Sequence, residues 1–277
     1  MGMRVTTNMA AINAQRNLVG SQRSIQHSMA QLASGSRINI AADDAAGLAI
    51  SERLKAGIRS ARQANRNAND GISMVQTAEG GLNEIGNIVT RLRELGIQAA
   101  SDTVGDTERG FVNKEVDQLK SEIQRISATT SWGKTKLLDG STPVFDFQVG
   151  IYNNAEEDRI SFQAHENNAS LDALGLSGID YTSKEGAQTA LATLDDAQTA
   201  INGFRANLGA LQNRLTSTVD NLAVYEENMS AANSRIRDTD VAMASSEMTR
   251  NNILLQAGTA TLAQANQTNQ LALKLIS

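Results

Sequence analysis

Two long heptad seams constrain this chain more than any other feature. Leu194, Ile201, Leu208, Leu215, Leu222 and Met229 recur every seven residues, and Ala197, Phe204, Leu211, Thr218, Tyr225 and Ala232 fill the places three residues on. A second seam, Val241, Met248, Leu255, Leu262, Asn269 and Ile276, runs to the last turn. A seven-residue apolar repeat puts its side chains on one stripe of an α-helix, and other helices must cover that stripe. Such a chain is built to bundle, and with copies of itself.

The N-terminal part carries matching patterns. Residues 4–33 read as a helix, with Val5, Met9, Ile12, Leu18, Ile25, Met29 and Leu32 at helical spacing, and Ser34-Gly35-Ser36 ends it. A linker leads to Asp43-Asp44, acidic residues suited to a helix start. Residues 44–99 read as one helix, with Ile72, Val75, Leu82, Ile85, Val89, Leu92 and Leu95 on a drifting stripe. After a turn at 100–106, another helix begins at Thr107 and carries Val112, Val116, Leu119, Ile123 and Ile126. Near residue 130 the period changes to two. Phe145, Phe147 and Val149, then Ile160 and Phe162, flank a turn-rich stretch and predict a β-hairpin. Residues 164–183 read as irregular, 184–235 as the heptad helix and 241–276 as the last helix. The fold class is mainly α: a long antiparallel coiled-coil rod with a small β-hairpin region, its first and last helices side by side.

Composition narrows function. Aromatic residues make up 3% and Pro143 is the one proline, which suits thin helical layers rather than a deep pocket. The net charge of −5 excludes a generally basic nucleic-acid binder. Residues 1–70 hold nine Lys or Arg against four Asp or Glu, but without interleaved aromatics this reads as a solvated helix face. With no cysteine there are no disulfides and no thiolate chemistry. No stretch approaches the roughly 18–20 apolar residues of a membrane span, and the N-terminus lacks the apolar core of a cleavable secretory signal. His27 and His165 lie far apart, Gly80-Gly81 and Gly86 sit in a helical stripe, and Asp43-Asp44 and Glu156-Glu157 suit a helix start and a turn. No enzyme and no cofactor is expected. The last helix offers too few apolar seam residues to offset its ordering cost alone, so both chain ends are expected to become ordered only in an assembly.

Four stretches carry a family resemblance. Ala33-Ser34-Gly35-Ser36-Arg37-Ile38-Asn39 followed by Ala42-Asp43-Asp44-Ala45-Ala46-Gly47-Leu48-Ala49-Ile50 resembles the N-terminal signature of bacterial flagellin, as does Asn65-Arg66-Asn67-Ala68-Asn69-Asp70-Gly71-Ile72-Ser73. Leu208-Gly209-Ala210-Leu211-Gln212-Asn213-Arg214-Leu215 is similar to the family's C-terminal inner helix. Ile253-Leu254-Leu255-Gln256-Ala257-Gly258-Thr259 with Leu262-Ala263-Gln264-Ala265-Asn266-Gln267 is similar to its terminal helix. The likeness covers about residues 1–140 and 185–277. Trp132-Gly133-Lys134 departs from the family's Phe-Asn-Gly, so the turn there is expected to differ. The middle, about 134–183, is too short for the family's variable outer domains.

The resemblance implies a structural subunit of the flagellar filament, extracellular, exported by the flagellar type III apparatus and self-assembled into a hollow helical polymer for motility. It implies a terminal coiled-coil domain, residues 1–43 with 236–277, lining the inner tube as a separate layer. It also implies an inner helical bundle, residues 44–235, with the β region at about 134–183 and no outer domains. The expected assembly seam is Val5, Met9, Ile12, Ile25, Met29, Leu32, Val241, Met248, Leu255, Leu262 and Ile276, buried between subunits. The expected inner core is Leu194, Ile201, Phe204, Leu208, Leu211, Leu215, Leu222 and Met229. Implied partners are further copies, a flagellin chaperone, the export apparatus, and the hook-associated junction and cap proteins, with no nucleic acid and no membrane insertion. Arg91, Leu95 and Glu115 resemble the patch that the animal innate receptor for flagellin reads, with Gly96 in place of the alanine common there.

Overall fold

The computed structural model describes the backbone of residues 7–142 and 144–274, and side chains as far as residue 267. In chain order the elements are α1 (Met9–Ser34), α2 (Ala45–Ala99), α3 (Asp106–Thr129), β1 (Ser131–Trp132), β2 (Thr135–Lys136), β3 (Val144–Gln148), β4 (Arg159–Gln163), a 3-10 turn (Ala164–Asn167), α4 (Lys184–Arg237) and α5 (Val241–Lys274). Two compact units result: one from residues up to Gly57 together with those from Asn228, the other from Ile58 to Glu227. The division falls inside α2 and α4. The start of α2 and the end of α4 belong to the terminal unit because their side chains are tied there. Arg237 pairs with Glu52 at 2.6 Å, and Ile38 of the linker is buried against the start of α2 at Gly47.

The inner unit is built on 3-4 spacing. Ala61, Ala64, Ala68, Val75, Ala78, Leu82, Ile85, Val89, Leu92 and Ala99 are the buried stripe of α2, a repeat that keeps one face inward over many turns. α4 contributes Leu194, Ile201, Leu208, Leu211 and Leu215 to the core, all buried, with Phe204 packed partly against it. Leu222 is half-buried, and Met229, also half-buried, falls in the terminal unit. α3 adds Val116 and Ile123. Two places on the α2 stripe are glycines, Gly71 and Gly96, and each gives its space to an aromatic ring. A Cβ on Gly71 would stand 3.2 Å from Phe147, and one on Gly96 would stand 3.1 Å from the Tyr181 hydroxyl.

The turn between α2 and α3 is held by one buried cation. Arg109 donates from Nε to the Ala99 carbonyl (2.9 Å) and from a terminal nitrogen to the Ser101 carbonyl (3.0 Å), and pairs with Asp106 at 2.8 Å. It neutralises the carbonyl end of α2, where the helix dipole is negative, and its own charge is satisfied.

β3 and β4 form the expected antiparallel hairpin, with Phe145 opposite Phe162 and their rings stacked at 6.1 Å. Two features were not read from the sequence. Ser131–Trp132 and Thr135–Lys136 pair across the two-residue turn Gly133-Lys134. Gly133 takes φ 60° at the first central position, which an L side chain there would resist. Residues 168–183, although irregular, are not a loose loop. Leu174, Leu176, Ile179 and Tyr181 are buried. The segment is tied down by Tyr181 N–H to Asn113 Oδ1 (3.0 Å), Lys120 Nζ to the Ile179 carbonyl (3.0 Å) and the Tyr181 hydroxyl to the Leu92 carbonyl (2.9 Å).

Candidate functional site

The terminal unit pairs α1 and α5 antiparallel. Asn8 caps α1 through Oδ1, which accepts from Ala11 N–H at 3.0 Å, and its amide donates to the Ala265 carbonyl at 2.9 Å. At the other end Gly35, left-handed at φ 68°, terminates α1. Its carbonyl accepts Thr239 N–H (3.0 Å), Arg37 N–H donates to the Arg237 carbonyl (2.6 Å), and the Arg37 guanidinium reaches the Ile236 carbonyl (2.9 Å). Both ends of the pair are thus pinned by backbone groups.

Between the pins, the positions that lose exposure follow a heptad on each helix. On α1 they are Ala11, Ala14, Leu18, Ser21, Ile25, Ser28 and Leu32; on α5, Ala244, Met248, Asn251, Leu255, Gly258, Leu262 and Ala265. Small residues let the axes approach. A Cβ on Gly258 would stand 2.7 Å from the Leu18 methyl. Among the described side chains of these two helices only Ser28 and Ala244 are buried.

The expected assembly seam therefore divides in two. Ile25, Leu32, Met248, Leu255 and Leu262 are half-covered and lie on the heptad that the two helices of one chain share. Within one chain, the partner helix takes that stripe. Met9, Ile12, Met29 and Val241 remain more than half exposed. Val5 and Ile276 lie outside the described residues. Four exposed apolar residues were missed: Val19, Met243, Ile253 and Leu254. The available signal was the run Ile253-Leu254-Leu255. Three consecutive apolar residues span about 200° of a helix and cannot share one stripe. α5 is apolar around much of its circumference, the pattern of a helix covered on several sides.

The linker after α1 is fixed by Asp43. Its carboxylate accepts the N–H groups of Asn39 (3.0 Å) and Ile40 (3.1 Å) and approaches His27 Nε2 at 3.2 Å. The two backbone hydrogen bonds hold its pKa below the ordinary carboxylate value, with His27 adding a smaller push the same way.

The patch Arg91, Leu95 and Glu115 is only partly a surface. Arg91 is exposed and bridges two carboxylates, Glu94 at 3.0 Å and Glu115 at 2.9 Å, which raise its pKa. Leu95 is 3% exposed and belongs to the core. It continues the α2 stripe through Val89 and Leu92, so any reader of this surface meets the charged pair and not the leucine. Among the described residues, no cluster of His, Asp or Glu could hold a metal ion, and no helix is long and apolar enough to cross a membrane.

Residues 5–142 match the bacterial flagellin N-terminal helical region, and residues 191–276 match the bacterial flagellin C-terminal helical region. The chain is 44% identical over 274 residues to a flagellin of Halalkalibacterium halodurans, covering 99% of this chain and 100% of the relative. It is 40% identical over 308 residues to a flagellin of Bacillus subtilis and 40% identical over 287 residues to a flagellar filament core protein of Brachyspira hyodysenteriae, with the same coverage in both. Among solved structures, the crystal structure of Bacillus cereus flagellin superposes with a TM-score of 0.51 at 29% identity, covering 61% of this chain and 94% of that one.

Proposed function

The chain belongs to the bacterial flagellin family, and we propose that its terminal helix pair is what drives assembly. The protein is a structural subunit of the flagellar filament, polymerising with copies of itself for motility. One observation carries the assembly reading: both helices of the terminal pair leave large apolar side chains uncovered along their length, from Met9 and Ile12 to Ile253 and Leu254. Fully burying each such side chain contributes about 1.5–3 kcal/mol. A single chain leaves about half or more of each of these side chains uncovered, and a polymer in which terminal pairs pack side by side gains the rest many times over. In this reading residues 1–43 and 236–277 line the inner tube, and residues 44–235 pack around it. Export through the type III apparatus, escort by a flagellin chaperone, and contact with the hook-associated junction and cap proteins complete the filament subunit's route. The Arg91–Glu115 surface is the part offered to an animal innate receptor after depolymerisation.

The test is seeded polymerisation of purified full-length chain, viewed by electron microscopy, beside a variant with Met243→Ser, Ile253→Ser and Leu254→Ser. The wild type grows filaments from seeds. The variant keeps the monomer's helical circular dichroism and does not grow. Growth of the variant at the wild-type rate overturns the proposal.

A further inference from the structure

We infer that Met9, Met29 and Met243 of the terminal helix pair are a modification site for hydroperoxides, and that their oxidation to sulfoxide switches assembly off. The inference rests on the filament reading above. The chain has eight methionines and no cysteine. Seven of the eight fall within the terminal unit. The eighth, Met74, is 2% exposed in the helical core of the inner unit. Met9, Met29 and Met243 are 58%, 56% and 65% exposed. Met229 and Met248 are half-covered, and Met1 and Met3 lie outside the described residues.

The placement of the three gives the modification its effect. They belong to the apolar side chains that α1 and α5 leave uncovered, with Ile12, Val19, Ile253 and Leu254. A thioether serves there as an adaptable apolar contact. It is also the group that a mild hydroperoxide oxidises first in a chain without thiols. The sulfur lone pair attacks one oxygen of hydrogen peroxide. The S–O bond forms, the O–O bond breaks, and the proton of the transferred oxygen leaves with the departing hydroxide as water. Sulfur is oxidised by two electrons and the peroxide is reduced. The sulfoxide oxygen is a strong acceptor, and packing it against apolar side chains of a second copy leaves it without a donor. Met74 is sealed in the core, so the inner unit keeps its packing while the assembly surface turns polar. Once a filament has formed, the subunit contacts cover the three sulfurs, so the reagent acts on unassembled chain.

Full-length monomer and preformed filaments are treated with hydrogen peroxide, and peptide mass spectrometry locates the sulfoxide. In monomer, Met9, Met29 and Met243 are expected to convert at least about tenfold faster than Met74, and in filaments at least about tenfold slower than in monomer. After peroxide is removed, oxidised wild-type monomer is expected to need at least about tenfold more protein for growth from untreated seeds. A chain with Met9→Leu, Met29→Leu and Met243→Leu is compared with its own untreated sample, and oxidation is expected to move its threshold by less than about twofold. Equal conversion in filaments and monomer overturns the inference, as does full conversion with an unchanged wild-type threshold. An equal rise in the leucine variant assigns the effect to other groups and overturns the site. Conversion of Met74 as fast as the exposed three means that oxidation acts by unfolding, which also overturns it. If the untreated triple variant does not grow, the three single leucine variants replace it, and the site is overturned unless they blunt the wild-type rise. Failure of untreated wild type to grow from seeds is a failure of the filament reading itself, whereas an unchanged threshold after oxidation is a failure of this inference alone.

Discussion

The Tyr181 hydroxyl occupies the space where a side chain on Gly96 would begin. It stands 3.1 Å from the place of a Cβ there and donates to the Leu92 carbonyl, one turn earlier on α2, at 2.9 Å. The segment before α4 is thereby pegged into the helical core, and the glycine leaves the room the hydroxyl takes. Burial also pushes the Tyr181 pKa up to about 12, so the phenol stays protonated over the working range.

Gly96→Ala is predicted to destabilise the monomer by about 1–3 kcal/mol through overpacking, despite alanine's better helix propensity. Tyr181→Phe costs about 0.5–1.5 kcal/mol through the lost hydrogen bond. The two are in contact, so their effects should not add: Gly96→Ala should cost less when the hydroxyl is absent. Urea denaturation of the two single variants and the double variant measures the coupling, and strict additivity would remove this account of Gly96.

Leu95 and Arg91 should behave as different kinds of residue. Leu95→Ala leaves a hole in the core and is predicted to cost about 2–5 kcal/mol. Arg91→Asp breaks two exposed ion pairs and should change stability by no more than about 1 kcal/mol. A receptor-reporter assay on depolymerised protein should respond to Arg91→Asp at unchanged stability, whereas any effect of Leu95→Ala should track unfolding.

Close approach of the terminal helices depends on Gly258. Gly258→Val pushes into Leu18 and is predicted to slow seeded growth, since it pries apart the pair that presents the exposed apolar face. Leu18→Ala in the same chain removes the obstructing methyls and should restore part of the rate. Sedimentation of polymer against time reads both.

Asp43 gives the linker an acid limit. Its pKa is lowered in the folded chain, so its stabilisation is fully present above the ordinary value of 3.8 and is lost as pH falls through the lower folded-state value. Amide exchange at Asn39 and Ile40, corrected for intrinsic rates, should be unchanged from pH 7 to about 5 and lose protection in more acid solution. Asp43→Asn should lack this dependence.

Periodicity carried most of the fold, and the reasons for its failures are physical. The bounds of α2 and α4 follow from unbroken 3-4 spacing, and the β3–β4 hairpin from alternation at Phe145, Phe147, Ile160 and Phe162. The strap holding Leu174, Leu176, Ile179 and Tyr181 has no period, because it is irregular chain tied to α2 and α3 by individual hydrogen bonds rather than by one repeating face. The β1–β2 hairpin is too short to show alternation, and only Gly133 marks it. In the terminal helices the heptad rule located one stripe and stopped. Met243, Ile253 and Leu254 lie off it, and their exposure could be known only after α1 had taken its own share. Leu95 shows the reverse case: a motif resemblance placed it on a surface, while its place in the α2 stripe already put it in the core.

The central claim is that other copies cover the bare apolar face of the α1–α5 pair. Hydrogen exchange across residues 241–267, compared between monomer and filament, tests it most directly. The account predicts rapid exchange in the monomer and protection increased by about a hundredfold or more in the filament, centred on Ile253 and Leu254. Equal protection in the two states would mean that the terminal pair is complete on its own, and would contradict the account.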